Sequence, residues 1–288
     1  MTIAEALAWG ITQLSSFEDP RLETEVLLTN NLQLPTTKLI SQGDQVIQEK
    51  LLANFKSSIA RRLAHEPTAY IVGYQPFMGI DIKVDRRVLI PRPETELLVE
   101  KIISNPKFTN HLIPYSPIIV ADVGTGSGCI AITLAKELPT ARVTAIDLSP
   151  SALELAKENA AAHNAQITFL EGDLLAPLKE KVDLIVSNPP YIPTADLTGL
   201  EPEVKDWEPI SALDGGADGL AYIRRLIKDA PAHLNPGGKL MFEFGFGQSA
   251  AIRQFFSINP NYTDIIIIND YAGIPRICSA TALGNNIA

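Results

Sequence analysis

The sequence predicts an α/β protein: a doubly wound, largely parallel sheet preceded by a helical bundle and a short β-hairpin. Three observations predict it. From about residue 117 onward, strand-like apolar runs alternate with segments of helical period, as in a parallel sheet covered on both faces. Before about residue 75 only helical period occurs. Between them, residues 76–92 change character, with apolar and polar residues alternating singly over 80–85 and a short apolar run at 88–90. The protein has 288 residues, close to twice the ~150 of an average domain. Two domains are therefore expected, over 1–75 and 93–288, with 76–92 as a hairpin linker. With 46% apolar and 20% charged residues, the composition suits a globular core and excludes a disordered chain, a collagen-like repeat and a small disulfide scaffold.

The elements follow in order. In 1–75, Ala4, Leu7, Ala8, Ile11 and Leu14 recur at helical spacing. Leu22, Val26, Leu27 and Leu28 repeat the pattern after Pro20, where a helix start tolerates proline. Ile47, Leu51, Leu52, Phe55, Ile59 and Leu63 form a third stretch that stops at Pro67. Next, Ile80, Ile82 and Val84 alternate with Asp81, Lys83 and Asp85, which predicts a strand, and Val88–Ile90 read as a second short strand before Pro91. Pro93 restarts a helix with its acids in the first turn. Strands are then expected at 118–123, 142–147, 166–170, 182–187, 238–244 and 263–269. Helices are expected after Gly128, after Ser149-Pro150, and at 218–232 and 247–257. The segment 192–217 is long, rich in Pro, Gly and acids, and weakly periodic, which marks a functional or disordered loop, and the acids over 196–218 read as a solvated face or a lid.

Charge and chemistry narrow the classes. The formal charge is −9, from 24 basic and 33 acidic residues, which speaks against non-specific grip on a phosphate backbone. Cys129 and Cys278 lack metal-type spacing and read as reduced, packed thiols. His65, His111, His163 and His233 are scattered, so no metal site is expected. The first residues carry Glu5 and no basic region, so no signal peptide is expected. No apolar run reaches the ~18 residues of a membrane span. A cytoplasmic location is the expectation.

Two motifs carry chemistry. Gly124-Thr125-Gly126-Ser127-Gly128 follows one strand and precedes a helix. Such glycines permit a sharp turn and let a ligand approach backbone N–H groups near a helix start. Asp147 closes the next strand, where an acid suits ribose hydroxyls. A dinucleotide fingerprint would place glycine at Cys129. The second motif, Asn188-Pro189-Pro190-Tyr191, ends the strand 182–187 at the carboxyl edge of the sheet. An amide nitrogen is a weak nucleophile because its lone pair is delocalised. The amide carbonyl of the Asn188 side chain and the backbone carbonyl of Pro189 are placed to accept its N–H groups and fix its orientation. Pro189 and Pro190 stiffen the loop, and Tyr191 offers a ring face to a planar acceptor.

With Asp122 before it, DVGTGSG resembles the cofactor loop of S-adenosylmethionine-dependent methyltransferases, and NPPY resembles the motif of methyltransferases acting on planar nitrogens. AYIVGYQPFMGIDIKVDRRVLIPRPETE (69–96), EPISALDGGADGL (208–220), FEFGFGQ (242–248) and DYAGIPRI (270–277) are similar to the PrmC/HemK family. Its members methylate the glutamine of the Gly-Gly-Gln motif in bacterial-type peptide chain release factors. The resemblance covers about residues 66–278, and the helical stretch before it fits that family's small N-terminal domain in size and class.

The resemblance implies a Rossmann-like class I methyltransferase fold with a seven-stranded sheet, and S-adenosyl-L-methionine as cofactor. It carries cofactor roles onto Gly124, Thr125, Gly126, Ser127, Gly128, Asp147 and Asn188, with Asp173 and Leu174 flanking the adenine. Leu174 stands where some members have an aromatic ring. Catalytic roles fall on Asn188, Pro189 and Tyr191. Substrate contacts fall on Asn188, Pro189, Pro190 and Tyr191, with Arg92 and Glu94 shaping the substrate entrance. An ion pair of Arg92 with Glu94 or Glu96 is the alternative for that arginine. Glu243 ends a strand at the same edge, to touch the substrate loop or cap a turn. Residues 1–75 are implied to recognise a protein substrate and 93–288 to be the methyltransferase domain. A release factor presenting its Gly-Gly-Gln loop is the implied partner; sequence-specific nucleic-acid binding and membrane association are not expected, and a monomer is. Two other readings share these residues: an amino methyltransferase acting on nucleic acid, such as an adenine N6-methyltransferase, and a non-catalytic nucleoside-binding interaction protein.

Overall fold

The computed structural model describes residues 1–109 and 117–283; His111 lies outside them. The protein divides into two compact units, Met1–Tyr74 with Glu201–Trp207, and Gln75–Leu200 with Glu208–Ala288.

The first unit is helical: α1 (Ile3–Gln13), α2 (Pro20–Leu32), α3 (Thr36–Ser41), α4 (Glu49–Leu63) and α5 (Thr68–Val72). Thr2 and Glu5 form a reciprocal capping box at the start of α1. The Asp19 carboxylate accepts the Leu22 N–H at the start of α2, with Pro20 at the first helical position. Ile3, Ala6, Leu14, Leu27, Leu28, Leu39, Ile47, Phe55 and Ile59 form the core. The expected period thus gives α1, α2 and α4, whereas α3 and α5 are too short to show one. On α4, Arg62 is buried, lies over the Phe17 ring, and pairs with Glu23 of α2 and with Glu203 at 2.5 Å. An arginine this deep needs counter-charges. Glu203 supplies one, and the segment Glu201–Trp207, expected within 93–288, belongs instead to the helical unit.

In the hairpin, β1 (Tyr74–Phe77) and β2 (Ile80–Lys83) are joined by Met78 and Gly79, both at positive φ (48° and 76°), as a tight two-residue turn requires. The pair is therefore shifted relative to expectation. Val88–Ile90 do not form a strand. The Asp85 carboxylate accepts the Arg87 N–H and guanidinium, and the Asp85 backbone carbonyl accepts the Val88 N–H, so the backbone turns there. Val88 and Ile90 are buried without strand pairing.

The second unit continues with α6 (Pro93–Ile103), α7 (Pro106–Thr109), β3 (Ile119–Val123), α8 (Cys129–Glu137), β4 (Arg142–Asp147), α9 (Pro150–Ala162), β5 (Ile167–Glu171) and β6 (Val182–Ser187). Two 3₁₀ turns, Thr194–Gly199 and Ile210–Ala212, flank α10 (Pro202–Lys205) of the first unit. Then come α11 (Ala221–His233), β7 (Leu234–Glu243), α12 (Ser249–Ser257), β8 (Tyr262–Asn269) and β9 (Pro275–Ala282). The segment 192–217, read as a long loop, thus folds into short helical turns.

Seven strands form one sheet in the order β5-β4-β3-β6-β7-β9-β8. The first five run parallel, and β9 is antiparallel to both neighbours. The sheet builds outward from β3 in one direction, then returns to add β6 on the other side. The boundary between β3 and β6 is therefore the switch point where such sheets hold ligands. The strand without a sequence signal is β9. It lies between β7 and β8 with Ile277, Cys278, Ser279 and Ala280 all buried, so it shows no alternation. No helix among the described residues is long and apolar enough to cross a membrane.

Candidate active site

Strand register assembles the site. Val123 pairs with Ser187, and the Ser187 hydroxyl donates to the Val123 carbonyl at 2.7 Å. Gly124 and Asn188, the next residues, thus leave the sheet side by side. Val123 also pairs with Ile146, which places Asp147 on the other flank, and Ser187 pairs with Phe242, which places Glu243 beside Asn188. A cleft of about 200 Å³ opens at this edge, lined by Gly124, Gly126, Asp147, Asp173, Leu174, Asn188, Pro189 and Pro190 among the expected residues. Thr125, Ser127, Gly128, Tyr191, Arg92 and Glu94 do not line it.

The glycine loop divides its work. Gly124, Gly126 and Gly128 all have positive φ (73°, 55° and 83°). A Cβ at Gly124 or Gly126 would meet nothing within 4 Å, so their backbones face open space. A Cβ at Gly128 would lie 3.2 Å from both Ala156 on α9 and Ile132 on α8, so this glycine serves helix packing. Thr125 and Ser127 are buried. The Thr125 hydroxyl donates to Asp122 Oδ2 at 2.6 Å, and the Ala131 N–H in the first turn of α8 donates to the same oxygen at 3.2 Å. Burial pushes the Asp122 carboxyl up to about 7. Asn159 of α9 donates to the Ser127 carbonyl and to the Lys83 carbonyl, and accepts the Lys83 N–H, so one buried amide ties loop to hairpin.

Asp147 accepts the Gly126 N–H on Oδ2 and the Ser149 N–H on Oδ1, both at 2.9 Å. Burial raises its pKa and these N–H groups partly offset the rise. Each oxygen keeps a lone pair for a diol. Leu148 is 62% exposed on the same wall, an apolar surface suited to a planar base. Leu174 also lines the wall and sits at φ 49°, unusual for a branched apolar side chain. Asp173 is held by Arg225 at 2.6 Å.

Behind Asn188 runs a series of hydrogen bonds. Asn188 Nδ2 donates to Thr95 Oγ1 at 2.9 Å, Thr95 donates to Glu243 Oε2 at 2.7 Å, and the Tyr191 hydroxyl donates to Glu243 Oε1 at 3.0 Å. Glu243 is 1% exposed, and burial pushes its carboxyl up to about 7. The Tyr191 ring lies against Gly245, and its hydroxyl pKa is raised by burial and by Glu243. Arg92 pairs with the buried Glu208 at 2.6 Å rather than with Glu94 or Glu96; Glu96 accepts the Met78 N–H at 2.7 Å instead. Glu94 is half-buried in the first turn of α6, where its charge bears on Glu243. Cys129 is buried and its thiol is pushed up to about 12, so it is packing and not a nucleophile.

Leu148, Tyr222 and the Arg87–Leu89 stretch line the cleft but stand outside both sequence motifs. A signal existed for Leu148, an apolar residue between the strand-ending acid and the helix-capping Ser149. For Thr95 the signal is register: it stands next to a motif only once the sheet order is known. Glu243, expected at this edge to touch the substrate loop or cap a turn, touches that loop through the Tyr191 hydroxyl.

A largely parallel sheet with a glycine loop, a strand-ending acid and Asn-Pro-Pro-Tyr around one switch point defines a Rossmann-like methyltransferase. Residues 5–73 match the PrmC N-terminal domain and residues 95–199 the methyltransferase small domain. The sequence is 44% identical, over 96% of its length and 95% of the relative's, to the release factor glutamine methyltransferase of Geobacter sulfurreducens. It is 42% identical to that of Moorella thermoacetica, over 96% and 97% of the two proteins. In fold it is similar to a methyltransferase from Pyrococcus furiosus (TM-score 0.54, 19% identity, 80% of this protein and 99% of that one). The protein belongs to the release factor glutamine methyltransferase family.

Proposed function

We infer that this protein methylates the side-chain amide nitrogen, N5, of a protein glutamine, the one in the Gly-Gly-Gln loop of peptide chain release factors, with S-adenosyl-L-methionine as donor. The observation that carries this reading is convergence: Gly124, Gly126, Asp147 and Asn188-Pro189-Pro190 open onto one cleft. The residues fit the donor. Gly124 and Gly126 offer backbone with no side chain in the way, Asp147 keeps lone pairs for ribose hydroxyls, and Leu148 and Leu174 give apolar surface for adenine. Thr125, Ser127 and Gly128 serve indirectly, holding the loop in shape. When bound, S-adenosyl-L-methionine supplies an electrophilic methyl on a sulfonium and leaves as S-adenosylhomocysteine.

The protein's own part is positioning. Asn188 Oδ1 and the Pro189 carbonyl accept the acceptor's two N–H groups, which fixes the nitrogen's orientation and favours pyramidal geometry toward the sulfonium methyl. Pro189 and Pro190 keep those carbonyls in place. Tyr191, with its hydroxyl on Glu243, stiffens the loop from behind. No strong base is assigned; the surplus proton goes to water. The helical unit recognises the protein substrate, since one glutamine offers too little surface, and Arg92 with Glu94 shapes the approach. The enzyme works in the cytoplasm.

The test is transfer of labelled methyl to a purified release factor, beside its Gly-Gly-Ala variant and duplex DNA. Label on the wild-type factor alone is expected. Label on DNA alone would leave the planar-nitrogen chemistry standing and overturn the acceptor.

A further inference from the structure

We propose that Glu243 and Thr95 set the polarity of the Asn188 amide, and that this polarity makes the site select a carboxamide over a carboxylate side chain. The proposal rests on the reading of Asn188 as the acceptor's hydrogen-bond partner and deepens it into a specificity mechanism.

An asparagine amide can turn either end toward a ligand, and its two ends are nearly equal in shape. What decides is the partner behind it. Here that partner is the Thr95 hydroxyl, which has one proton and could donate or accept. The ambiguity ends at Glu243. An ionised carboxylate only accepts, and both of its oxygens face hydroxyls: Thr95 at 2.7 Å on Oε2 and Tyr191 at 3.0 Å on Oε1. The Thr95 proton is therefore committed to Glu243. Toward Asn188, Thr95 can only accept, at 2.9 Å, and Nδ2 must face it. Oδ1 is left as the end not held from behind, on a residue that lines the cleft.

The consequence is a chemical filter. A carboxamide brings N–H donors to Oδ1. A carboxylate brings only lone pairs and is repelled. Sites built around a specific hydrogen bond discriminate far better than apolar pockets do. The location fits this role: Glu243 is 1% exposed and Thr95 2%, so water does not scramble the directions. Around Glu243 stand Thr95 and Glu94 from α6, Tyr191 after β6, Arg276 on β9 and Cys129 on α8. Burial and Glu94 raise the carboxyl and Arg276 lowers it, to about 7, so at pH 8 it is mostly the acceptor-only form.

The experiment uses the full-length enzyme at pH 8 and the variants Glu243→Gln, Thr95→Val and Thr95→Ser. Two quantities are read: methyl transfer to the release factor, and the inhibition constant of a release factor whose motif glutamine is glutamate. The parent should bind the glutamine form better than the glutamate form by about tenfold or more. Glu243→Gln replaces one acceptor by a donor, so Thr95 can turn its proton to Asn188 and the amide can flip. Transfer should fall about a hundredfold, and the glutamine preference should collapse or invert, with the cofactor dissociation constant unchanged. Thr95→Val should act likewise, and Thr95→Ser should keep the parental preference. A variant that loses activity but keeps the glutamine preference would overturn the proposal, because a merely structural role predicts that pattern. Should Glu243→Gln not fold, the Thr95 pair decides alone by the same criterion. Failure of the parent enzyme to label the glutamine-bearing factor would overturn the functional reading beneath it.

Discussion

Replacing Asp122 by Asn should change the pH dependence of stability more than stability itself. Asp122 is fully buried on β3, and its Oδ1 has no hydrogen-bond partner among the described residues, while Oδ2 accepts both Thr125 and Ala131. Burial moves its pKa from the ordinary 3.8 to about 7. Over that interval the folded protein holds a proton that the unfolded one has released. Stability must therefore fall as pH rises through the window, and the loss is complete above about pH 7. At about 1.4 kcal/mol per pH unit, the full cost is on the order of 4 kcal/mol. About 2–3 kcal/mol of it develops between pH 5 and pH 8.

Asparagine resembles the protonated acid in shape and cannot ionise. Its oxygen can accept both present donors, and its NH2 occupies the unpartnered side. Any cost of that NH2, about 1–3 kcal/mol, is the same at every pH. The stability of Asp122→Asn relative to the parent should thus rise by about 2–3 kcal/mol from pH 5 to pH 8. Urea unfolding at four pH values measures it. Far-UV circular dichroism is the right probe, because both tryptophans, Trp9 and Trp207, belong to the helical unit and report on that unit. A difference that stays flat within about 0.5 kcal/mol across the range would mean that Asp122 is not protonated in the folded protein over this interval.

Asn188→Ala should lower kcat by about a hundredfold or more with a much smaller change in cofactor affinity; near-normal turnover in the methyl-transfer assay would remove its carbonyl from the mechanism. Asp147→Ala should raise the cofactor dissociation constant at least about tenfold, since it removes charge-assisted acceptors; an unchanged calorimetric value would move the ribose contact elsewhere. Gly128→Ala combines a φ of 83° with two 3.2 Å contacts and should cost about 1–3 kcal/mol of the sheet unit's stability, read by thermal melts. Arg62→Ala leaves Glu23 and Glu203 without their cation and should destabilise the helical unit by about 3 kcal/mol, visible as earlier loss of native tryptophan fluorescence.

Local chemistry explains what could be read in the sequence. The strands 142–147 and 182–187 coincide with β4 and β6 because each is short, apolar and bounded by turn residues. By contrast, β9 is silent, since its buried residues face helices or neighbours on both sides and its small, polar composition has no period. The hairpin is displaced by one strand from its expected place because Gln75 and Pro76 dilute the alternation of β1, and the Met78-Gly79 turn is visible only as a dipeptide. The two motifs are legible because backbone demands fix their residues: open space at Gly124 and Gly126, a rigid turn at Pro189 and Pro190. Most of their supports are not. The end of its strand puts Glu243 at the site's edge, but Thr95, Asn159 and Glu208 lie far in sequence from what they hold, and no spacing rule connects Thr95 to Glu243. Arg92 shows the same limit: the nearby acids Glu94 and Glu96 are the natural partners by distance in sequence, yet Glu208 takes it.

Asp122 and Glu243 have parallel positions and a shared cost. Asp122 sits behind the glycine loop and gathers Thr125 and the first turn of α8. Glu243 sits behind Asn188-Pro189-Pro190-Tyr191 and gathers Thr95 and Tyr191. Each is raised by burial to about 7, from 3.8 and 4.5. The equivalent free energies are about 4 and about 3 kcal/mol, against a typical total stability of about 5–15 kcal/mol. An apolar residue at either place would relieve that cost, so stability alone does not account for them. Ionised, each can only accept, and acceptor-only oxygens dictate which way their hydroxyl partners point. Below about pH 7 the protein gains stability while those directions relax; above it, the hydroxyls are oriented at the expense of the fold. The glycine loop and the substrate loop are thus held in order under the conditions where their supports strain the fold most, the trade expected of residues kept for what they position.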